Sequence, residues 1–313
     1  MSTSNPLNWE YPGGPATPVE PPGRSWNERI VPAVFLAPAV FFLSVWIVYP
    51  TIATAWRSLF SNQGGDFVGL DNYKEIFGDR WFWTVLGRTI AFTAVTVGLT
   101  MLFGTLIALL LQRLGTFMRL LITTGLVLVW SMPPVVAVNI WSWMVDYEFG
   151  VLNWTLAQLG FESFAHHDWF VNPIQGWAII TAIIVWGAIP FVAITIFAGL
   201  TQVSGEMVEA ASIDGAGSFR VFRDITLPIL KPIFVILASL SVIWNFQVFT
   251  QIWVIRNARP EDDYFLLSIY SFVKSFNTSQ YGLGSAIALV MVLAMLMVTF
   301  VYIRQMVRIG EVD

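Results

Sequence analysis

The sequence has no cysteine, which excludes a disulfide framework, a thiolate metal site and a cysteine nucleophile, and leaves its redox compartment unread. Its only two histidines are the adjacent pair His166 and His167, too few for most metal enzymes. Charge is scarce. Only 12% of the 313 residues are charged, about half the share of an ordinary soluble domain. With 56% hydrophobic residues and a mean hydropathy of +0.69, that scarcity excludes a soluble globular protein. The 16 Lys and Arg against 20 Asp and Glu give a net charge of -4, without the basic excess that nucleic-acid binding requires. No Gly-x-x-x-x-Gly-Lys-Ser/Thr phosphate cradle occurs in the chain.

What the chain has instead is long apolar runs and many aromatics, 15 Trp and 25 Phe among them. Six runs stand out: 30–56, 89–112, 120–145, 174–200, 233–255 and 282–303. Each exceeds the roughly 20 residues that carry a helix across about 30 Å of hydrocarbon, and none alternates as a barrel strand would. The sequence therefore predicts an all-α integral membrane protein with six transmembrane helices over residues 30–308. A proline-rich leader, 1–29, precedes them, with a turn over Ser25–Arg29, and a short tail, 309–313, follows. The leader has no apolar core of a signal peptide. Basic residues divide nearly evenly between the two sets of loops, but none lies between Leu120 and Phe219. The 146–173 loop thus suits the outside, which leaves both termini in the cytoplasm.

None of the six runs contains an ionisable residue. Proton relays and voltage sensors need such groups, so the chain is no proton-coupled carrier, and a sodium site built from backbone carbonyls is the remaining carrier alternative. The loop 201–231 is unlike a plain connector. Ser204 is placed to cap a short helix carrying Glu206 in its first turn, with Glu209, Ala210 and Ala211 following. Asp214 precedes Gly215 and Gly217, both read as turn glycines at positive φ, and a second short helix is expected over Ser218–Asp224. Pro228 and Pro232 are expected at the start of the fifth span, where a missing N–H costs little.

The pattern Glu209-Ala210-Ala211, three residues, Gly215, nine residues, Ile225, one residue, Leu227-Pro228 resembles the EAA loop of permease subunits of ATP-binding-cassette importers. The resemblance extends over most of residues 30–308. It includes Phe67-Val68-Gly69-Leu70-Asp71-Asn72-Tyr73, Phe149–Asn153 and Trp186–Pro190, which are similar to carbohydrate-uptake permeases of the maltose type. It implies a type I ABC importer permease fold in a bacterial inner (plasma) membrane. The loop would be a coupling helix docked on an ATPase subunit, through Glu206, Glu209, Ala210, Ala211, Asp214, Gly215, Gly217, Leu227 and Pro228. It further implies a second homologous permease, two ATPase copies that carry ATP and Mg, and an extracytoplasmic sugar-binding protein. No cofactor and no catalysis are expected in this chain. Where relatives carry Thr-x-Gly-Gly-Pro after the fifth span, this chain has Arg256-Asn257-Ala258-Arg259-Pro260.

An uncharged pathway lined by amides, hydroxyls and rings suits a neutral polyol. Ser241, Trp244 and Asn245 share one helical face, with Gln247 nearby; Asn139 and Trp143 lie four apart, and Trp186 and Phe191 flank Pro190. These eight are the candidate solute contacts. Trp46, Trp56, Trp81, Trp83, Trp130 and Trp169 read as interface anchors, and Pro133-Pro134 as a simple kink. Arg256 and Arg259 at the outer mouth keep glycerol 3-phosphate or another polar solute as an alternative cargo. A membrane-embedded enzyme acting on lipids is the alternative of a different class, disfavoured because the only acidic cluster, Glu261-Asp262-Asp263, has no histidine beside it.

Overall fold

The computed structural model describes residues 26–63 and 65–310; the expected leader, apart from its last four residues, and the end of the tail lie outside these. Residues up to Ile52 and from Ala53 onward form two units, described separately. Helix α1 (Trp26–Leu43) includes the expected turn residues 26–29, so the first helix starts four residues earlier than the apolar run. It continues through a π-helical turn, Ser44–Val48, into α2 (Tyr49–Arg57). The side chains over 34–48 are exposed, Phe35 at 80% and Trp46 at 74%, as a helix in hydrocarbon tolerates.

In the second unit, α3 (Asp71–Gly78) follows a turn pinned by the maltose-permease-like motif. The buried Asn72 donates through Nδ2 to the carbonyls of Ser58, 2.7 Å, and Phe60, 2.8 Å, while Tyr73 and Ser58 share a hydroxyl hydrogen bond of 2.6 Å. Helix α4 (Arg80–Arg113) is longer than its apolar run because Asp79 caps it, accepting from the Trp81 N–H at 2.8 Å. The expected third span is two helices, α5 (Thr116–Trp130) and α6 (Pro134–Met144), set 101° apart. Pro133-Pro134 is therefore a break and not a simple kink: Pro134 has no N–H to continue the ladder and holds residue 133 extended, at ψ 136°. Helix α7 (Val151–Gln158) lies in the following loop, which the buried Asn153 ties together by donating to the carbonyls of Asp146 and His167 and accepting from Trp169 Nε1 at 2.7 Å. Trp169 thus fastens the loop through its indole N–H.

Helix α8 (Pro173–Leu200) is the central span and packs along α4. Gly104 makes the approach close: a Cβ there would lie 2.9 Å from Cβ of Val192. Helix α9 (Gly205–Ile213) is the expected first short helix. The second, α10 (Ser218–Val221), is not separate; it runs through a π-helical turn, Phe222–Thr226, into α11 (Leu227–Phe246). Pro228 and Pro232 consequently sit inside a continuous helix. The π turn is the accommodation, since the Leu227 N–H reaches back five residues to the Phe222 carbonyl just before the proline that has none to offer. The fifth run is also broken, at Gln247–Phe249, before α12 (Thr250–Ile255). Helices α13 (Leu267–Phe272) and α14 (Tyr281–Gly310) complete the described residues, α14 taking in the first two residues of the expected tail. Among the described residues five stretches are long and apolar enough to cross a membrane, and the bent α5–α6 pair would make a sixth.

The core forms two clusters. One joins Phe82, Val85, Ile180, Ile183, Ile252, Leu267 and Ile287; the other joins Ala108, Val192, Ile196, Leu200, Leu230 and Leu237. Between them α4 buries a row of threonines, of which Thr89 and Thr96 return their hydroxyls to carbonyls four residues back. Thr89 also accepts the Leu267 N–H at 3.0 Å, fastening α13 to α4.

Candidate functional site

Two places collect the residues singled out by the sequence: a cavity where α5, α6, α8, α11 and α12 meet, and the elbow formed by α9 and α10.

The cavity, of about 270 Å³, exists because two of its walls are broken helices. The chain leaves helical geometry at Gln247 (φ -107°, ψ 20°) and Phe249 (φ -133°, ψ -59°), then restarts when the Trp253 N–H reaches the Phe249 carbonyl at 2.9 Å. Irregular backbone is tolerated at membrane depth only where protein or a cavity satisfies it; here Ser268 Oγ donates to the freed Val248 carbonyl. No proline or glycine marks this break, so the sequence reads as one continuous run.

Five of the eight candidate contacts line the cavity: Trp186, Phe191, Ser241, Trp244 and Asn245. Ser241 and Asn245 are buried, and Asn245 Nδ2 donates to the Ser241 carbonyl at 2.7 Å, so one N–H of its amide is committed to the helix. Trp244 is 48% exposed and meets Phe191 edge-on at 5.4 Å. Three candidates fall elsewhere. Asn139 and Trp143 are exposed on α6, because the 101° bend turns that helix away from the course a straight span would take. Gln247 lies at the break and borders a different hollow, with Ser268, Ser271 and Met291.

Two lining residues escape the sequence reading. Trp130, taken as an interface anchor, ends α5 at the bend and stacks on Phe191 with ring centres 6.0 Å apart. Gln251 joins the cavity from α12, after the break. The clue to Gln251 was its place four residues after Gln247; the break decides that only the later one faces this cavity. The lining contains no ionisable side chain. A larger hollow of about 600 Å³ between α4 and α8 is almost wholly apolar, with Arg88 at one end and Thr181 as its one hydroxyl, so it suits a hydroxylated solute poorly.

In the loop after α12, the two arginines that kept an anionic cargo open differ in their surroundings. Arg256 donates through Nε to Glu261 Oε2 at 2.9 Å, pairs with the other carboxylate oxygen as well, and lies over the rings of Phe170 and Tyr264. This hydrogen bond holds the Glu261 carboxyl below the ordinary carboxylate range, against partial burial. Arg256 is committed to the fold, and only Arg259 of the two is exposed. Among the described residues no group of three or more His, Asp or Glu is close enough to hold a metal ion, and His167 instead bonds Gln175 at 2.9 Å.

At the elbow, Ser204 occupies the N-cap position of α9 without a side-chain capping bond, a correction to its expected role. The other end carries a full Schellman closure: the Gly215 N–H reaches the Ser212 carbonyl at 3.1 Å and the Ala216 N–H the Ala211 carbonyl at 2.9 Å, with Gly215 at φ 80°. Gly217 does not share this role, its φ being -70°. Glu206, Glu209, Ala210, Asp214, Gly215, Gly217 and Pro228 are exposed, and Ala211 and Leu227 half-buried. The sequence reading passed over Ile213 and Phe219, 86% and 76% exposed on either side of the glycine turn.

Residues 100–309 match the family described as the binding-protein-dependent transport system inner membrane component. The chain belongs to that family. This permease is 40% identical to the diacetylchitobiose uptake system permease protein DasB of Streptomyces coelicolor over 246 residues, 79% of this chain and 75% of the relative. It is 32% identical to the trehalose/maltose transport system permease protein MalF of Thermococcus litoralis over 284 residues, 89% and 94% of the two chains. Its fold matches a chain of a bacterial ABC transporter that imports the acidic polysaccharide alginate, with a TM-score of 0.78, 18% identity, and coverage of 90% and 97%. The permease is thus an ABC-importer transport subunit embedded in a membrane.

Proposed function

We propose that this permease carries a neutral sugar or short oligosaccharide through the cavity between α8 and α11. The observation that carries the reading is the cavity lining, in which Ser241, Asn245 and Gln251 supply hydrogen bonds, Trp130, Trp186, Phe191 and Trp244 supply rings, and no charge is present. Hydroxyls pair with amides while the C–H faces of a sugar stack on rings. Relatives named for diacetylchitobiose and for trehalose and maltose support the same class. Glycerol 3-phosphate, kept open by the two outer arginines in the sequence, is disfavoured because Arg256 is committed to Glu261.

In this reading an extracytoplasmic sugar-binding protein delivers the solute and a second, homologous permease completes the pathway. Two ATPase subunits, holding ATP and Mg, receive α9 in a surface cleft. Glu206, Glu209, Ala210, Ala211 and Asp214 form the helix that docks, Ile213 and Phe219 anchor it, and the continuous helix from Ser218 to Phe246 delivers the movement to Ser241 and Asn245 in the cavity. Both termini lie in the cytoplasm of a bacterial cell.

The test is the ATPase rate of the reconstituted importer with binding protein presented alongside a panel of neutral sugars and glycerol 3-phosphate. A rise with a neutral sugar and none with the phosphate is expected. Stimulation by no sugar at all rejects the reading, and Trp244→Ala with unchanged transport removes the cavity from it.

A further inference from the structure

The hollow between α4 and α8 is a furrow with one polar end. Along α4 it is lined by Ala91, Val95, Leu99 and Phe103, a row at four-residue spacing, and along α8 by Ala178, Ala182 and their neighbours. From Arg88 to Phe103 it runs about 22 Å, at about 1.5 Å per residue. One leaflet of hydrocarbon is about 15 Å deep, so the furrow is long enough for an acyl chain and too apolar for a hydroxylated solute.

Its end decides the occupant. Arg88 stands where the apolar run of α4 begins, and its Nη1 donates to the carbonyls of Asp262 at 2.7 Å and Phe265 at 3.2 Å. Across the furrow, Trp177 Nε1 donates to the Asp263 carbonyl at 3.1 Å. The two walls therefore hold the Asp262-Asp263 pair at the mouth, with both aspartates exposed. A guanidinium with unused N–H groups lies at the hydrocarbon boundary, and two carboxylates lie beside it toward water.

We propose that this furrow binds one zwitterionic aminophospholipid, its acyl chain along Ala91 to Phe103, its phosphate at Arg88 and its primary ammonium at Asp262 and Asp263. A purely anionic headgroup would meet the two carboxylates, and a choline headgroup has no N–H to donate to them. An apolar helix from another subunit would leave this charged mouth unused.

The test uses the assembled importer in bilayers of equal phosphatidylethanolamine, phosphatidylglycerol and phosphatidylcholine, extracted in mild detergent, washed, and its retained lipids quantified by mass spectrometry. Phosphatidylethanolamine is expected to be retained about fivefold over either competitor, a difference of about 1 kcal/mol. Arg88→Gln should abolish the preference. Because Arg88 also braces the loop, two further variants carry the test: Ala182→Phe, which fills the furrow, should lose the retained lipid, and D262N with D263N should shift the preference toward phosphatidylglycerol. Equal retention of the three lipids, retention unchanged in Ala182→Phe, or a protein helix seated in the furrow of the assembled importer would overturn the proposal.

Discussion

The glycine turn that closes α9 offers the sharpest test of the coupling elbow, because two glycines two residues apart make opposite demands. Gly215 lies at φ 80° and Gly217 at φ -70°, and neither has a heavy atom within 4 Å of where a Cβ would go. Space is therefore not at issue, and backbone conformation alone separates them. Gly215→Ala places a Cβ in the left-handed region at a cost of about 1–2 kcal/mol. That is enough to lower the population of the closed elbow by a factor of about 5–30. The nine residues of α9 are too few to stay helical without tertiary support, so the loss falls on the docked conformation. Gly217→Ala should be neutral or stabilise by about 0.4–1 kcal/mol, since it only removes freedom from the unfolded chain. Gly215→Asn, which tolerates positive φ better, should recover part of the loss. The assay is sugar uptake per ATP hydrolysed in the reconstituted importer, with assembly followed by co-purification of the ATPase. Equal damage from both alanine variants, or normal coupling in Gly215→Ala, would refute the reasoning.

Asn72→Ala should destabilise the permease by about 2–3 kcal/mol in detergent melts, because it leaves the Ser58 and Phe60 carbonyls without their donor; a change under about 0.5 kcal/mol would show that water replaces it. Ala258 sits at φ 58°, so Ala258→Gly should raise stability by about 1 kcal/mol, and a lower melting temperature would contradict the strain assigned there. Glu261 has a folded pKa below its unfolded value of about 4.3, so its contribution is complete above that pH and is lost as the pH falls through the folded value. Glu261→Gln should flatten that acid-side loss in melts taken between pH 3 and 7, and an unchanged profile would mean that the pair with Arg256 contributes nothing.

Much of the molecule is legible in one dimension. Hydrocarbon thickness sets a minimum length for an apolar helix, so runs such as 174–200 announce a span without any tertiary information. The EAA spacing is equally local: Glu209, Ala210, Ala211 and Gly215 lie within two turns of one another, and their helix and its closing turn form as read. The maltose-permease-like segments were legible as patterns but not as causes. Asn72 and Asn153 prove to be fasteners whose partners lie up to 16 residues away.

Tertiary structure alone decided the rest. Hydropathy records how apolar a residue is and not where its neighbour turns, so the 101° break at Pro133-Pro134 and the unmarked break at Gln247–Phe249 were invisible to it. Those two breaks shape the cavity: they bring in Trp130 and Gln251 and leave Asn139, Trp143 and Gln247 outside. The same limit governs charge. Arg256 and Arg259 are equivalent in sequence, yet one is spent on Glu261 and two rings while the other remains in water, because pairing depends on how a loop folds back and not on which residues it contains.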